Sequence, residues 1–161
     1  GLINNAGTTK FVGHDDLDGL SAQDFQDIYA VNVVGPYQMT RAVAPAMRAG
    51  GQGAVVNIAS MAGVMGTGSS IAYAASKGAV NSLTIGLSQE VAGEGIRINT
   101  VAPGLTATDM PPPDKLETQG PEIPIGRVAE ASEIAEAIVW LLSDKASYTA
   151  GANIRVGGGR I

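Results

Sequence analysis

Four short apolar runs punctuate the chain: GLIN at 1–4, AVVNIA at 54–59, IRINTVA at 96–102 and NIRV at 153–156. They are rich in Val and Ile and nearly continuous, where a half-exposed strand would alternate apolar with polar. Continuous runs are expected of parallel strands covered on both faces. Three longer stretches between them read as helices. They cover residues 23–47, 72–92 and 131–144. In the second, Val80, Leu83, Leu87 and Val91 recur at steps of three, four and four, which places them on one helical face. In the third, Ser132 suits an N-cap and Glu133 suits the first turn. Strands alternating with helices predict an α/β fold built on a parallel sheet. From Pro103 to Val128 the text turns rich in Pro and Gly. A long connection after a strand is where such folds carry substrate loops. Neither a repeat nor a shift in composition divides residues 1–161, so a single domain is expected.

Composition narrows the chemistry. Apolar residues make up 45% of the 161 and charged residues 16%, a balance that supports a packed core. The net charge is −5 and no run of Lys or Arg occurs, which predicts no nucleic-acid partner. No apolar stretch reaches 18 residues, which predicts no membrane partner. The chain has no cysteine and one histidine, His14. Disulfides, thiolate catalysis and multi-His metal sites are therefore excluded, and no metal is expected. Hydroxyl, phenol, amine and carboxylate chemistry remain. A cytoplasmic location is expected, since no signal peptide is read.

Tyr73 and Lys77 stand four apart in SSIAYAASKGAV, one helical turn, so both point from one face. A phenol has a pKa of about 10 and is a poor base at neutral pH. A cation about 4 Å away contributes roughly 4 kcal/mol at an effective dielectric of about 20, enough to lower that pKa by two to three. Ser60 closes the strand AVVNIAS, and Asn32 lies within the helical text YAVNVVG. A serine at a strand's carboxyl end and a Tyr–Lys pair entering the next helix can converge on one crevice. Each residue alone has a plainer reading: Tyr73 and Lys77 a surface pair, Ser60 a turn cap, Asn32 a partner for helix backbone. His14 reads as a loop residue, Asp15 and Asp16 as a solvated turn, Trp140 as core. The glycines of GVMGTG (63–68) read as a flexible loop. Those of GGG (157–159) precede no helix, so neither stretch is a dinucleotide fingerprint.

Taken together, NNAG (4–7), Asn32, Ser60, YAASK (73–77) and PG (103–104) with Thr108 resemble the short-chain dehydrogenase/reductases in order and spacing, and the tail SDKASYTAGANIRVGGG is similar too. The resemblance covers essentially the whole chain. It implies a partial Rossmann-type doubly wound parallel sheet, made of the family's strands 4–7 and their helices. It implies a nicotinamide cofactor, NAD or NADP, and a small-molecule alcohol or carbonyl substrate of the 3-oxoacyl-carrier-protein or sugar kind. By resemblance, Tyr73 is the acid/base and Ser60 hydrogen-bonds the substrate oxygen. Lys77 lowers the Tyr73 pKa and binds the nicotinamide ribose, and Asn32 holds a water of the proton relay. Asn5, Ala6 and Gly7 lie near the adenine-side ribose, while Pro103, Gly104, Thr106 and Thr108 wall the carboxamide. Thr106 departs from the aliphatic residue common there.

The resemblance also implies homodimers or homotetramers, through helices 23–47 and 72–92 with their small residues Ala30, Gly35, Ala42, Ala79 and Gly86. The family's Gly-rich phosphate turn and the residue that chooses NAD or NADP have no counterpart here. The text matches a truncated member that opens at the family's fourth strand. That strand is expected to be an exposed edge, and the 161-residue chain to bind NAD(P) weakly or not at all. The alternative function is a non-catalytic scaffold that keeps the oligomer-forming helices.

Overall fold

The apolar runs become strands β1 (Leu2–Asn4), β2 (Gly53–Ile58) and β3 (Ile96–Pro103) in the computed structural model, which describes residues 1–160. A two-stranded parallel pair follows, β4 (Thr106–Ala107) with β5 (Ala129–Glu130), and then β6 (Asn153–Val156). The main sheet is parallel throughout, in the order β1-β2-β3-β6. Helices α1 (Ala22–Tyr29), α2 (Gly35–Ala49), α3 (Ala62–Met65), α4 (Ile71–Val91), α5 (Pro113–Gln119) and α6 (Ala131–Leu142) complete it.

Both faces of the sheet are covered, which is why the runs are continuous. Val55 joins Ala44, Val91, Ile96 and Ile98 on the side of α2 and α4. Its neighbour Val56 joins Val101, Ile134, Leu141 and Ala146 on the side of α6. Successive side chains point to opposite faces, and here both faces bury them. Polar strand residues are paired rather than exposed. Asn4 Nδ2 donates to Asn57 Oδ1 at 2.7 Å, and Asn57 Nδ2 donates to Thr84 Oγ1 of α4 at 2.9 Å. At the sheet's outer edge, β1 pairs only with β2 and its Ile3 is 46% exposed.

Several local expectations are corrected. The stretch 23–47 is not one α-helix. A π-turn, Ala30–Val34, separates α1 from α2, with the Gly35 N–H donating back five residues to Ala30 O. Pro36 has no N–H to give the Asn32 carbonyl, so a regular ladder cannot run through this point. Ser132 does not cap α6. Glu130 is the N-cap, and Glu133 accepts from the Glu130 N–H at 2.8 Å in a reciprocal box. Trp140 is 39% exposed rather than core, because α6 turns Ile134 and Leu141 to the sheet and leaves position 140 on its flank. The face of α4 deepest in the protein is more polar than Val80, Leu83, Leu87 and Val91 suggest. It buries Ser76, Lys77, Thr84 and Ser88 with Val80 and Val91. The Pro-rich connection holds the short helix α5, and the loop after Ser60 holds α3. Among the described residues no helix is long and apolar enough to cross a membrane.

Candidate active site

The carboxyl ends of β1, β2 and β3 open on one crevice of about 1030 Å³. The loop after β1 contributes Asn5, Ala6 and Gly7, and the end of β2 contributes Ser60. Pro103, Gly104, Thr106 and Thr108 follow from the end of β3 and the segment after it. Tyr73 and Lys77 enter from the first turns of α4, where the Ser70 hydroxyl caps the helix by accepting from Tyr73 N at 3.2 Å. This mouth at the strands' carboxyl ends is where open α/β sheets bind ligands. Ten of the eleven residues singled out from sequence line it; Asn32 alone does not.

Close backbone approach locks Tyr73 and Lys77 in place. Gly63 of α3 lies so near α4 that a Cβ would come within 2.4 Å of the Lys77 carbonyl carbon. Lys77 is 4% exposed, and its Nζ donates to the Ile58 carbonyl at 2.7 Å. An ammonium has three donors, and Ile58 takes the only one paired among the described residues. Burial lowers the Lys77 pKa to about 8. Burial also raises the Tyr73 phenol above its usual value, and the nearby Ser60 hydroxyl works in the opposite sense. The net shift of Tyr73 is therefore upward, against the lowering by Lys77 expected from their spacing. The ammonium stands 5.7 Å from the Tyr73 ring centroid and is itself weakened as a cation by desolvation.

Ser60 serves the turn as well as the crevice. Its Oγ accepts from Ala62 N at 3.1 Å, so its hydroxyl hydrogen stays available for an oxygen in the crevice. Asn32 lies behind the wall, 1% exposed. Its Oδ1 accepts from Thr8 N at 2.8 Å, and its Nδ2 donates to Thr8 O at 2.9 Å and to Ser76 Oγ at 3.0 Å. Both amide hydrogens are used, so the side chain has none left for a water. The group that Pro36 deprives of its usual helical donor is the Asn32 carbonyl. Thr106 turns its hydroxyl onto Gly104 O at 3.1 Å, so its departure from an aliphatic residue is absorbed locally.

Sequence reading missed Thr8 and the Ile58 carbonyl. The one signal for Thr8 is its place next to Gly7, where a Cβ would come 3.5 Å from Lys77 Nζ and 3.6 Å from Asn32 Oδ1. Three apolar residues of the crevice went unnamed too: Phe11, Met65 and Met110 line it. Phe11 and Met110 come from loops and Met65 from the end of the four-residue helix α3, too short for a periodicity to point inward. The donor set fits the ribose and nicotinamide half of a dinucleotide: an ammonium with two spare hydrogens beside a bare glycine, facing a serine hydroxyl and a phenol. No Gly-rich turn joining a strand to a helix N-terminus is found for the pyrophosphate. Among the described residues no cluster could hold a metal ion.

Known proteins resemble this chain along nearly its whole length. Residues 1–160 match a family model described as enoyl-(acyl carrier protein) reductase. The chain is 43% identical to galactitol 2-dehydrogenase (L-tagatose-forming) of Cereibacter sphaeroides, covering 98% of this chain and 64% of that protein. It is 41% identical to the oxidoreductase YgfF of Escherichia coli, covering 99% of this chain and 67% of the relative. A crystal structure of a short-chain dehydrogenase/reductase from Burkholderia xenovorans superposes with a TM-score of 0.89 at 42% identity, covering 98% of this chain and 63% of that one. The chain spans about two thirds of the length of these proteins.

Proposed function

The chain belongs to the short-chain dehydrogenase/reductase family, and from that premise we propose that its crevice serves oxidation of a secondary alcohol or reduction of a ketone with NAD or NADP. The observation that carries the proposal is the convergence of Ser60, Tyr73 and Lys77 on one crevice from two different elements. A nicotinamide cofactor bound there supplies or accepts the hydride. Everything else falls to the chain's own groups. In reduction, the Tyr73 phenol gives its proton to the carbonyl oxygen as negative charge develops on it; in oxidation, the phenolate takes the hydroxyl proton back. Burial keeps the phenol protonated, which suits the acid role in the reductive direction. Ser60 donates its free hydrogen to the same oxygen and stabilises the developing charge. Lys77 offers its two spare donors to ribose hydroxyls and places a cation beside the ring of Tyr73. The Asn32 carbonyl is the acceptor for a water in the proton relay.

The polar and apolar sides of the crevice suit a small polyol or an oxoacyl chain, with Met65, Met110 and Phe11 as the apolar wall. The kinship with galactitol 2-dehydrogenase supports a polyol. The second reading, a non-catalytic scaffold, is favoured by apolar side chains exposed along α2 and α4. The deciding experiment is NAD(P)-linked turnover on a panel of polyols and oxoacyl thioesters. It would use the 161-residue chain and a fusion that places a relative's N-terminal third before Gly1. Turnover in the fusion that Tyr73→Phe abolishes supports the enzyme. No turnover in either, with cofactor shown to bind the fusion, overturns it.

A further inference from the structure

We propose that Ser76 is a positioning residue for Tyr73 and Lys77, tying the helical turn that carries them to the loop beneath the lysine. The relevance to catalysis rests on the function proposed above; the geometry does not.

Ser76 is fully buried in α4, three residues after Tyr73 and one before Lys77. Its hydroxyl has one hydrogen, and that hydrogen goes to Tyr73 O at 2.7 Å. The bond between Ser76 Oγ and Asn32 Nδ2 is therefore donated by Asn32. The remaining bonds of Asn32 then have one consistent arrangement. Oδ1 takes the Thr8 N–H, and the second hydrogen of Nδ2 goes to Thr8 O. Turning the amide over would set Nδ2 against the Thr8 N–H and Oδ1 against Thr8 O, two repulsive contacts at once. Each of the four hydrogens that link Thr8, Asn32, Ser76 and Tyr73 thus has one acceptor, and Ser76 is the residue that ends the chain on α4.

Both ends of this chain matter to the crevice. At one end the bond to Tyr73 O adds to the helical ladder at the tyrosine's own peptide, a back-bond of the sort that adjusts local helix geometry. At the other end Asn32 clamps Thr8 on both its N–H and its C=O. That clamp fixes Gly7, which lies next to Lys77 Nζ. A role as filler does not explain a hydroxyl here. Ala74, two residues earlier, is also buried, so the helix accepts alanine in its packed face. A buried hydroxyl is favourable only where its hydrogen bonds are made.

The test uses the 161-residue chain with Ser76→Ala and Ser76→Thr. It reads amide hydrogen exchange at Thr8 and the NMR titration of the Lys77 side chain, with Tyr73 as the titratable neighbour to be followed alongside. In Ser76→Ala, Thr8 exchange should quicken about 10-fold or more while amides of β2 and β3 keep their protection. The Lys77 midpoint should rise from about 8 toward that of an ordinary lysine as the nook loosens. Ser76→Thr, which keeps the hydroxyl, should restore both. Unchanged Thr8 exchange and an unchanged Lys77 midpoint in Ser76→Ala would overturn the proposal, as would failure of threonine to restore them. Should the alanine variant not fold, Ser76→Cys keeps the size and weakens the acceptor. An intermediate Thr8 exchange rate supports the proposal, and a wild-type rate overturns it. Neither readout depends on turnover, so failure of the proposed reaction and failure of the positioning role are told apart.

Discussion

The Lys77 ammonium lies 5.7 Å from the centroid of the Tyr73 ring, and burial drives both groups toward their uncharged forms. It takes the lysine down to about 8 and the tyrosine up. The first expectation concerns stability against pH. An unfolded lysine titrates near 10.4, so between about pH 8 and 10 the unfolded chain holds a proton that the folded chain has released. Folding should therefore strengthen as pH rises through that window, by on the order of 3 kcal/mol if Lys77 realises its full shift. Above about pH 10 the raised Tyr73 acts in the opposite sense, because the unfolded chain then loses a phenol proton that the folded chain keeps. Urea unfolding at stepped pH, with Lys77→Met as reference, checks this. Parallel profiles for the two proteins would show that Lys77 is not held below its usual value.

Catalysis gives the second expectation. In a fusion with cofactor-dependent turnover, Tyr73→Phe should lower kcat by about 10² to 10⁴-fold with little change in cofactor affinity, as removal of a general acid does. Ser60→Ala should cost about 10² to 10³-fold. Near-normal turnover in the phenylalanine variant would remove Tyr73 from the mechanism.

The third concerns the buried ladder Asn4–Asn57–Thr84. Asn57→Ala takes away the partner of Thr84 Oγ1 and of one Asn4 Nδ2 hydrogen, the other Asn4 hydrogen keeping the Pro36 carbonyl, and should destabilise by about 2–4 kcal/mol. For a chain of this size that lowers Tm by roughly 4–16 °C. Adding Asn4→Ala to it should cost less than the sum of the two single changes, because the second removes a group that has already lost its Asn57 partner. Strict additivity in thermal melts would mean that the ladder carries no coupling.

Much of this was legible in the sequence, and what was not has physical reasons. The strands could be read because both of their faces are buried, which leaves few polar gaps in their runs, and those such as Asn57 and Asn99 are hydrogen-bonded inside. Tyr73, Lys77 and Ser60 could be read because their types and spacing are unusual together. The π-turn at Ala30–Val34 has a signal only in retrospect: Pro36 four residues after Asn32, where a helical N–H should be. Glu130 as a cap, in place of Ser132, depends on where β5 ends, and two-residue strands have no period to find. The sense of the Tyr73 shift depends on burial, which spacing along a helix cannot report.

Assembly gives the fourth expectation. Val31, Val34, Tyr37 and Met39 on the helical segment 22–49, with Ile85 on α4, are 40 to 49% exposed. An apolar surface of this kind favours a closed symmetric partner. Light scattering should return a dimer or tetramer, and Val34→Asp with Ile85→Asp should release monomer. A stable dilute monomer of the unaltered chain would count against the interface.

Cofactor affinity gives the fifth. The 161-residue chain offers the proposed ribose and nicotinamide contacts but no helix N-terminus behind a Gly-rich turn. Losing two or three charge-assisted hydrogen bonds weakens binding by roughly 10² to 10⁶-fold. Calorimetric titration with NAD and NADP should show weak binding or none. Micromolar binding would mean that another part of this chain cradles the phosphates.

The parallel sheet has a last consequence, for the rate at which the chain finds its fold. Leu2 pairs with Val55, Gly53 with Ile96, and Thr100 with Asn153. No ladder of this sheet is local, since each joins residues roughly 40 to 55 positions apart and needs a long loop closed before its first bond forms. The helices need no such closure and can form on the microsecond scale. Folding should therefore pass through a helix-rich stage with Val55, Val56 and Ile98 still open to solvent. Over that interval a neighbouring copy competes with the chain's own strands. Refolding yield should fall as protein concentration rises, even under conditions where the finished protein is stable.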